Sequence, residues 1–128
     1  MSGAAAELQA AALAALQNAD GIGGVYDGPP LQAAFPYAIV ECGPESDWSH
    51  KDGEGREVRL AVIVRDAGER AGRLPALMAA AEAALDGLGS EIAGWRVVTL
   101  RFVRSRTVKE PCGGWAGTIE YRARMLAG

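Results

Sequence analysis

Few side chains in this sequence are of the kind that perform covalent chemistry. There is one histidine, His50, and there are two cysteines, Cys42 and Cys112. A structural zinc site needs about four ligands at short spacings, and no such cluster occurs. A Cys–His nucleophile pair can be drawn on paper, but neither cysteine lies in a local setting typical of one. Cys42 is expected as a small residue in or beside a strand, and Cys112 as a loop thiol. Their spacing leaves a disulfide open; the N-terminal stretch has no basic segment of a secretory leader, so both thiols are expected reduced. Gly21-Ile22-Gly23-Gly24 follows a helical pattern and precedes a strand, the reverse of the order that cradles dinucleotide phosphates, and reads as a helix C-cap and turn. Carboxylates are plentiful, but nothing marks a pair as acid and base. No catalytic residue, metal site or cofactor is assigned, and the expectation is a protein that is not an enzyme.

The arginines are more informative. Eleven of the 13 basic residues are Arg, whose planar fork suits bidentate contacts. Residues 1–94 carry 6 basic against 14 acidic residues, a net −8, whereas residues 95–128 carry 7 against 2, a net +5. Such a split suits binding to polyanions, self-association of the two halves, or simple solvation. Arg101, Arg104, Arg106 and Lys109 crowd one arm of a C-terminal hairpin. On a regular strand Arg104 and Arg106 fall on the face opposite Arg101. An intersubunit salt-bridge role, with Glu54, Glu57, Asp66 and Glu69 of a neighbour as acceptors, is favoured over contact with DNA, because the overall pI is near 5.1. Trp48, with His50 and Lys51 beside it, stands in a polar, glycine-flanked stretch and is expected to anchor a subunit or partner contact. Trp95 is expected in the core, and Trp115 is open to either role.

The elements that position these residues are set by periodicity. At 128 residues, 49% hydrophobic and 23% charged, the chain suits one globular domain, 1–128. No apolar run reaches the roughly 18 residues of a membrane span, so no membrane partner is expected. Leu8, Ala11/Ala12, Leu13 and Leu16 mark a helix over 4–18. Val25-Tyr26 is a short strand running into a Pro29-Pro30 turn, and Tyr37–Cys42 is a longer one. Residues 43–55 read as a long loop or an extended hairpin tip. Arg56–Asp66 alternates strictly, with Val58, Leu60, Val62 and Val64 on one face. A second helix lies within 67–88, starting near Arg73 or Leu74 so that Pro75 occupies its first turn. Trp95–Lys109 and a last strand with Ile119, Tyr121, Ala123 and Met125 inward form a hairpin across a glycine-rich connection.

Two amphipathic helices among these strands predict an α+β fold: a mostly antiparallel four- to five-stranded sheet with both helices packed on one face. The other face would show Arg59, Arg65, Arg101, Arg122 and Arg124 among Ala61, Ile63, Val97 and Val103. A mixed Arg-and-aliphatic surface of that size is typical of an interface. Together with Arg56, Arg104, Arg106, Trp48, His50, Lys51 and Trp115, these arginines form the candidate interface set.

The order of local patterns resembles the tail-completion or tail-terminator family of long-tailed phages and phage-derived gene transfer agents. The carrying stretches are Leu8–Leu16, Val25-Tyr26-Asp27-Gly28-Pro29-Pro30, Ala34-Phe35-Pro36-Tyr37-Ala38-Ile39-Val40, Asp47-Trp48-Ser49-His50-Lys51 and the hairpin from Trp95 to Arg124. Pro111-Cys112-Gly113-Gly114-Trp115 departs from the family, which has a more polar turn there. The resemblance implies a virion structural protein forming a homo-oligomeric, six-subunit ring in the neck, assembled in the bacterial cytoplasm. Its implied partners are the tail tube protein and a head-tail stopper or connector, with DNA passing near its lumen. The competing expectations are a small ligand-binding or regulatory module, or an enzyme whose residues converge only in three dimensions.

Overall fold

Strict alternation in the middle of the chain becomes the central strand of a sheet that carries both helices on one side. The computed structural model describes residues 3–68, 71–111 and 113–128. Its elements are α1 (Ala4–Leu16), β1 (Gly24–Tyr26), β2 (Tyr37–Asp47), β3 (Gly55–Asp66), α2 (Leu74–Leu85), β4 (Glu91–Ile92), β5 (Trp95–Lys109) and β6 (Trp115–Ala127). The sheet order is β1-β2-β3-β6-β5-β4; β1 runs parallel to β2, and every other pairing is antiparallel. The expected four or five antiparallel strands are therefore six in a mixed sheet. The added strand, β4, is only two residues long. Its turn into β5 has Ala93 at φ 47° and Gly94 at φ 90°, the left-handed pair that closes a two-residue hairpin.

One core fills the space between sheet and helices. Ala4, Leu8, Ala12 and Leu16 of α1 meet Leu74, Leu77, Met78, Ala81 and Leu85 of α2. Beneath them lie Val58, Leu60, Val62 and Val64 of β3 and Ile119, Tyr121, Ala123 and Met125 of β6. Pro75 sits in the first turn of α2, where its missing N–H has no helical partner to lose. Gly117 of β6 lies directly under the Met78 side chain, which an added Cβ would strike.

Among the described residues one charged group is buried. Asp66 ends β3 at 5% exposure, and Arg73 grips it with two bonds, Nε to Oδ2 at 2.6 Å and Nη2 to Oδ1 at 2.7 Å. The Ala67 N–H adds a third at 2.9 Å. This fastens the start of α2 to the end of β3. The Arg73 hydrogen bond is the main reason the Asp66 carboxyl is held below its ordinary range. A carboxyl lowered in the folded state stabilises the fold above its ordinary pKa and stops doing so as pH falls through the folded value. Stability is therefore expected to fall on acidification below about pH 4, where an unfolded carboxyl takes up its proton. Asp66→Asn should flatten that dependence in denaturant midpoints measured across the acid range; an unchanged acid limb would contradict it.

Bulges decide which residues share a face. β2 slips register between Cys42 and Glu45, where Gly43 takes φ 136°, and β5 slips between Val97 and Thr99 and again between Phe102 and Arg104. Each slip adds a residue and re-aims the side chains beyond it. Arg101, Arg104 and Arg106 stand opposite Arg122, Glu120 and Thr118, all on the helix-free face. The expectation that Arg104 and Arg106 lie across the sheet from Arg101 is thus corrected by one inserted residue. Val97 moves the other way: it pairs with Met125 and belongs to the core side, not to the outer face.

Candidate assembly surface

Two surface features bring candidate residues together, and a third lies beside them. The first is the helix-free face, which reads in rows across β3, β6 and β5. Glu57, Arg124 and Thr99 form one row, and Arg59, Arg122 and Arg101 the next. Then come Ala61, Glu120 and Arg104, followed by Ile63, Thr118 and Arg106. At the far end Arg65 lies between Tyr37 of β2 and Ala116, with its Nη1 donating to the Tyr37 hydroxyl at 3.0 Å.

The neutralising partners of this face are its own. Glu57 Oε1 lies 3.2 Å from Arg124 Nε and 3.5 Å from Arg122 Nε, Glu120 pairs with Arg104, and Glu110 approaches Arg65 at 3.5 Å. Arg104 is the first cause of the lowered Glu120 carboxyl pKa. The acceptors expected from a neighbour are therefore engaged in their own chain. Glu57 is held by Arg122 and Arg124, Glu54 sits 3.1 Å from Arg56, and Asp66 is buried under Arg73. Glu69 and Cys112 lie outside the described residues. Arg56 is not on the arginine face at all: it pairs with Met125 on the core side and faces Glu45, Asp47 and Glu54.

The second feature is the tip of the β2–β3 hairpin, an ordered structure rather than a loose loop. The Trp48 N–H donates to the Gly55 carbonyl at 2.9 Å, and His50 and Gly53 exchange backbone bonds at 2.8 and 3.1 Å. Asp47 Oδ1 accepts from the Ser49 hydroxyl at 2.6 Å and from its N–H at 3.2 Å. The hydroxyl bond is the leading reason the Asp47 carboxyl is lowered. Gly55 is required here, since a Cβ would collide with the Trp48 carbonyl. The Trp48 ring is half-buried, with the Arg124 guanidinium 5.5 Å from its centroid and the His50 ring centroid 4.5 Å away in a T-shaped contact. Lys51 is exposed beside it.

The third feature lies outside the candidate set. β4 covers only Trp95 and Arg96, and Ser90 accepts from the Val97 N–H at 2.7 Å; beyond these the outer edge of β5 has no strand neighbour among the described residues. Along it Val98, Val103 and Val108 are each 43% exposed and Phe102 is 50% exposed. The adjacent apolar pairs Val97-Val98 and Phe102-Val103 mark both bulges, because a two-residue alternation cannot put both members inside. Trp95 is buried as expected, and Trp115 is half-buried against the core.

Among the described residues, Cys42 and His50 build no catalytic arrangement. Cys42 is a free thiol packed against the core, its pKa pushed up to about 12 by burial, whereas His50 is at the hairpin tip against Trp48. A thiol so raised stays protonated and is a poor nucleophile. Among the described residues no group of His, Cys, Asp and Glu could hold a metal ion.

Comparison with known proteins finds a matching family and matching solved structures. Residues 4–126 match the family described as Tail completion protein gp17. A solved chain from the virion of a native gene transfer agent particle superposes with a TM-score of 0.70 at 28% identity, covering 98% of this chain and 100% of that one. No curated protein matches.

Proposed function

Because this chain belongs to the Tail completion protein gp17 family, and so has a structural role in phage-type tails, we propose that its working form is a closed ring of its own copies. The ring sits on the head-proximal end of the tail tube, ends tube growth and receives the head-completion proteins. The observation that carries the ring is the open edge of β5. A long edge with exposed backbone groups and four large apolar side chains is an aggregation hazard for a monomer. A neighbouring copy removes that hazard.

Ring closure requires two different patches on each subunit. The opposite edge of the sheet supplies the second. β1 pairs only with Tyr37–Ile39, which leaves β2 beyond Ile39 without a strand neighbour up to Asp47 among the described residues, the Gln9 side chain alone donating to the Val40 carbonyl at its start. Glu41, Glu45 and Asp47 make that stretch acidic, with Arg56 offsetting only part of their charge, whereas Arg96, Arg101, Arg104, Arg106 and Lys109 make β5 basic. The two edges attract head to tail, and like charges oppose β5 pairing with itself. The ordered tip with Trp48, His50 and Lys51 projects from the sheet and is assigned to the tail tube or stopper, with Trp115 nearer the subunit's own core. Native mass spectrometry across concentration and salt, with and without tail tubes, tests this reading.

A further inference from the structure

The charge of the helix-free face extends inward from the β5 edge, across β6 to β3, beyond the residues that edge-to-edge assembly uses. Arg59, Arg122 and Arg101 stand side by side on three adjacent strands. Directly opposed residues have Cβ atoms about 4.5–5.5 Å apart, and like charges at that spacing are destabilising. Counted from the row of Glu57, Arg124 and Thr99 to that of Tyr37, Arg65 and Ala116, the face holds seven arginines (59, 65, 101, 104, 106, 122 and 124) against Glu41, Glu57 and Glu120, with Glu110 reaching in to Arg65. The balance is +3 on a chain whose total is −3. Arg59, Arg101 and Arg106 make no ion pair among the described residues. Arg122 Nε, shielded from solvent, has Glu57 Oε1 at 3.5 Å as an ionic neighbour but makes no hydrogen bond.

We propose that this face binds the phosphate backbone of a nucleic acid duplex without reading its sequence. The bulges at Gly43-Pro44 and Val103 flank an open groove of ≈ 450 Å³ whose lining includes Arg59, Ala61, Arg104 and Glu120. Successive rows are two residues apart, about 6.6–6.8 Å along the strands, so the arginines form a linear array rather than one pocket. An array of forked cations fits a line of phosphates. Between the arginines stand Ala61, Ile63, Thr99 and Thr118, none long enough to hold the backbone away. No Asn or Gln is on these rows to pair with adenine edges, so the contacts position without specifying. An acidic partner protein fits less well, because the face already holds carboxylates where single pairs are needed, at Arg104, Arg122 and Arg124. The acidic remainder of the molecule repels phosphate elsewhere and turns this face toward it.

The proposal concerns one subunit and stands whether or not a ring forms. It is tested by titrating mixed-sequence duplex DNA with the full chain over a range of salt, with native mass recorded in parallel. The natural sequence should bind, and log K should fall linearly with log salt. Arg59→Gln/Arg101→Gln/Arg106→Gln should lower that slope by about 3, since each phosphate contact contributes about 0.9. The corresponding triple Lys variant, which keeps the charge, should retain the slope. The Gln variant should also unfold at the same or a higher temperature, because it relieves repulsion. Failure of the natural sequence to bind DNA at low salt, or an unchanged slope in the Gln variant, would overturn the proposal. So would a Gln variant that loses its oligomer while its subunits bind DNA with the natural slope, since the arginines would then serve a neighbouring copy.

Discussion

A chain carrying Val98→Lys and Val103→Lys is expected to run as a folded monomer under conditions where the natural sequence is expected to assemble into the proposed ring. Both valines are 43% exposed and both lie at bulges of β5. Replacing them should therefore change the stability of an isolated subunit by no more than about 0.5 kcal/mol each. In an assembled edge the same ammonium groups lose their water, at several kcal/mol per unpaired ion. The concentration needed for assembly should rise by roughly 100-fold or more, since each 1.4 kcal/mol is a factor of ten. Lysine on an exposed edge is also a device by which natural sheets avoid pairing. Native mass and the thermal midpoint together check the prediction. A ring-sized species that persists in the double variant would move the subunit contact away from the β5 edge.

The largest loss of stability is expected at the centre of the sheet. Leu60 is fully buried between Cys42 on β2 and Tyr121 on β6, beneath the helices. Leu60→Ala removes its contacts and leaves a cavity that paired strands on both sides cannot close. The expected cost is about 2–5 kcal/mol, and Leu60→Met, which keeps the volume, should cost less than about 1.5 kcal/mol. At roughly 3–5 °C per kcal/mol for a domain of this size, the Ala variant melts about 6–25 °C lower. The comparison is best made in the Val98→Lys/Val103→Lys background, because assembly would add its own contribution to the midpoint. Equal melting of the Ala and Met variants would contradict this packing.

Periodicity reveals some elements and hides others for physical reasons. Val58, Leu60, Val62 and Val64 alternate without interruption, so their strand, its inward face and its burial are all legible. The four-residue steps of α1 and the placement of Pro75 in the first turn of α2 are equally plain. β4 is not, because its turn uses Ala93 at positive φ where Asn or Gly would have announced a hairpin. The parallel pairing of β1 depends on a three-residue strand meeting a distant partner, which local pattern does not encode. Regular alternation misplaces the arginines for one reason: a single inserted residue between Phe102 and Arg104 moves Arg104 and Arg106 across the sheet. The apolar doublet Phe102-Val103 carries that information. The in-chain roles of Glu57 and Glu120 require the register of β3, β6 and β5, and no spacing along the sequence contains it.

We read one subunit as an incomplete unit whose sheet edges are completed by copies of itself at the end of a tail tube. The decisive quantity is the native mass of the chain alone and with tail tubes, over a range of concentration and salt. A closed ring, six subunits by the family resemblance, is expected, either free or formed when a tube end is supplied. It should weaken as salt screens the attraction between the acidic edge of β2 and the basic edge of β5. A stable monomer at every concentration that leaves tube ends unoccupied would contradict this reading.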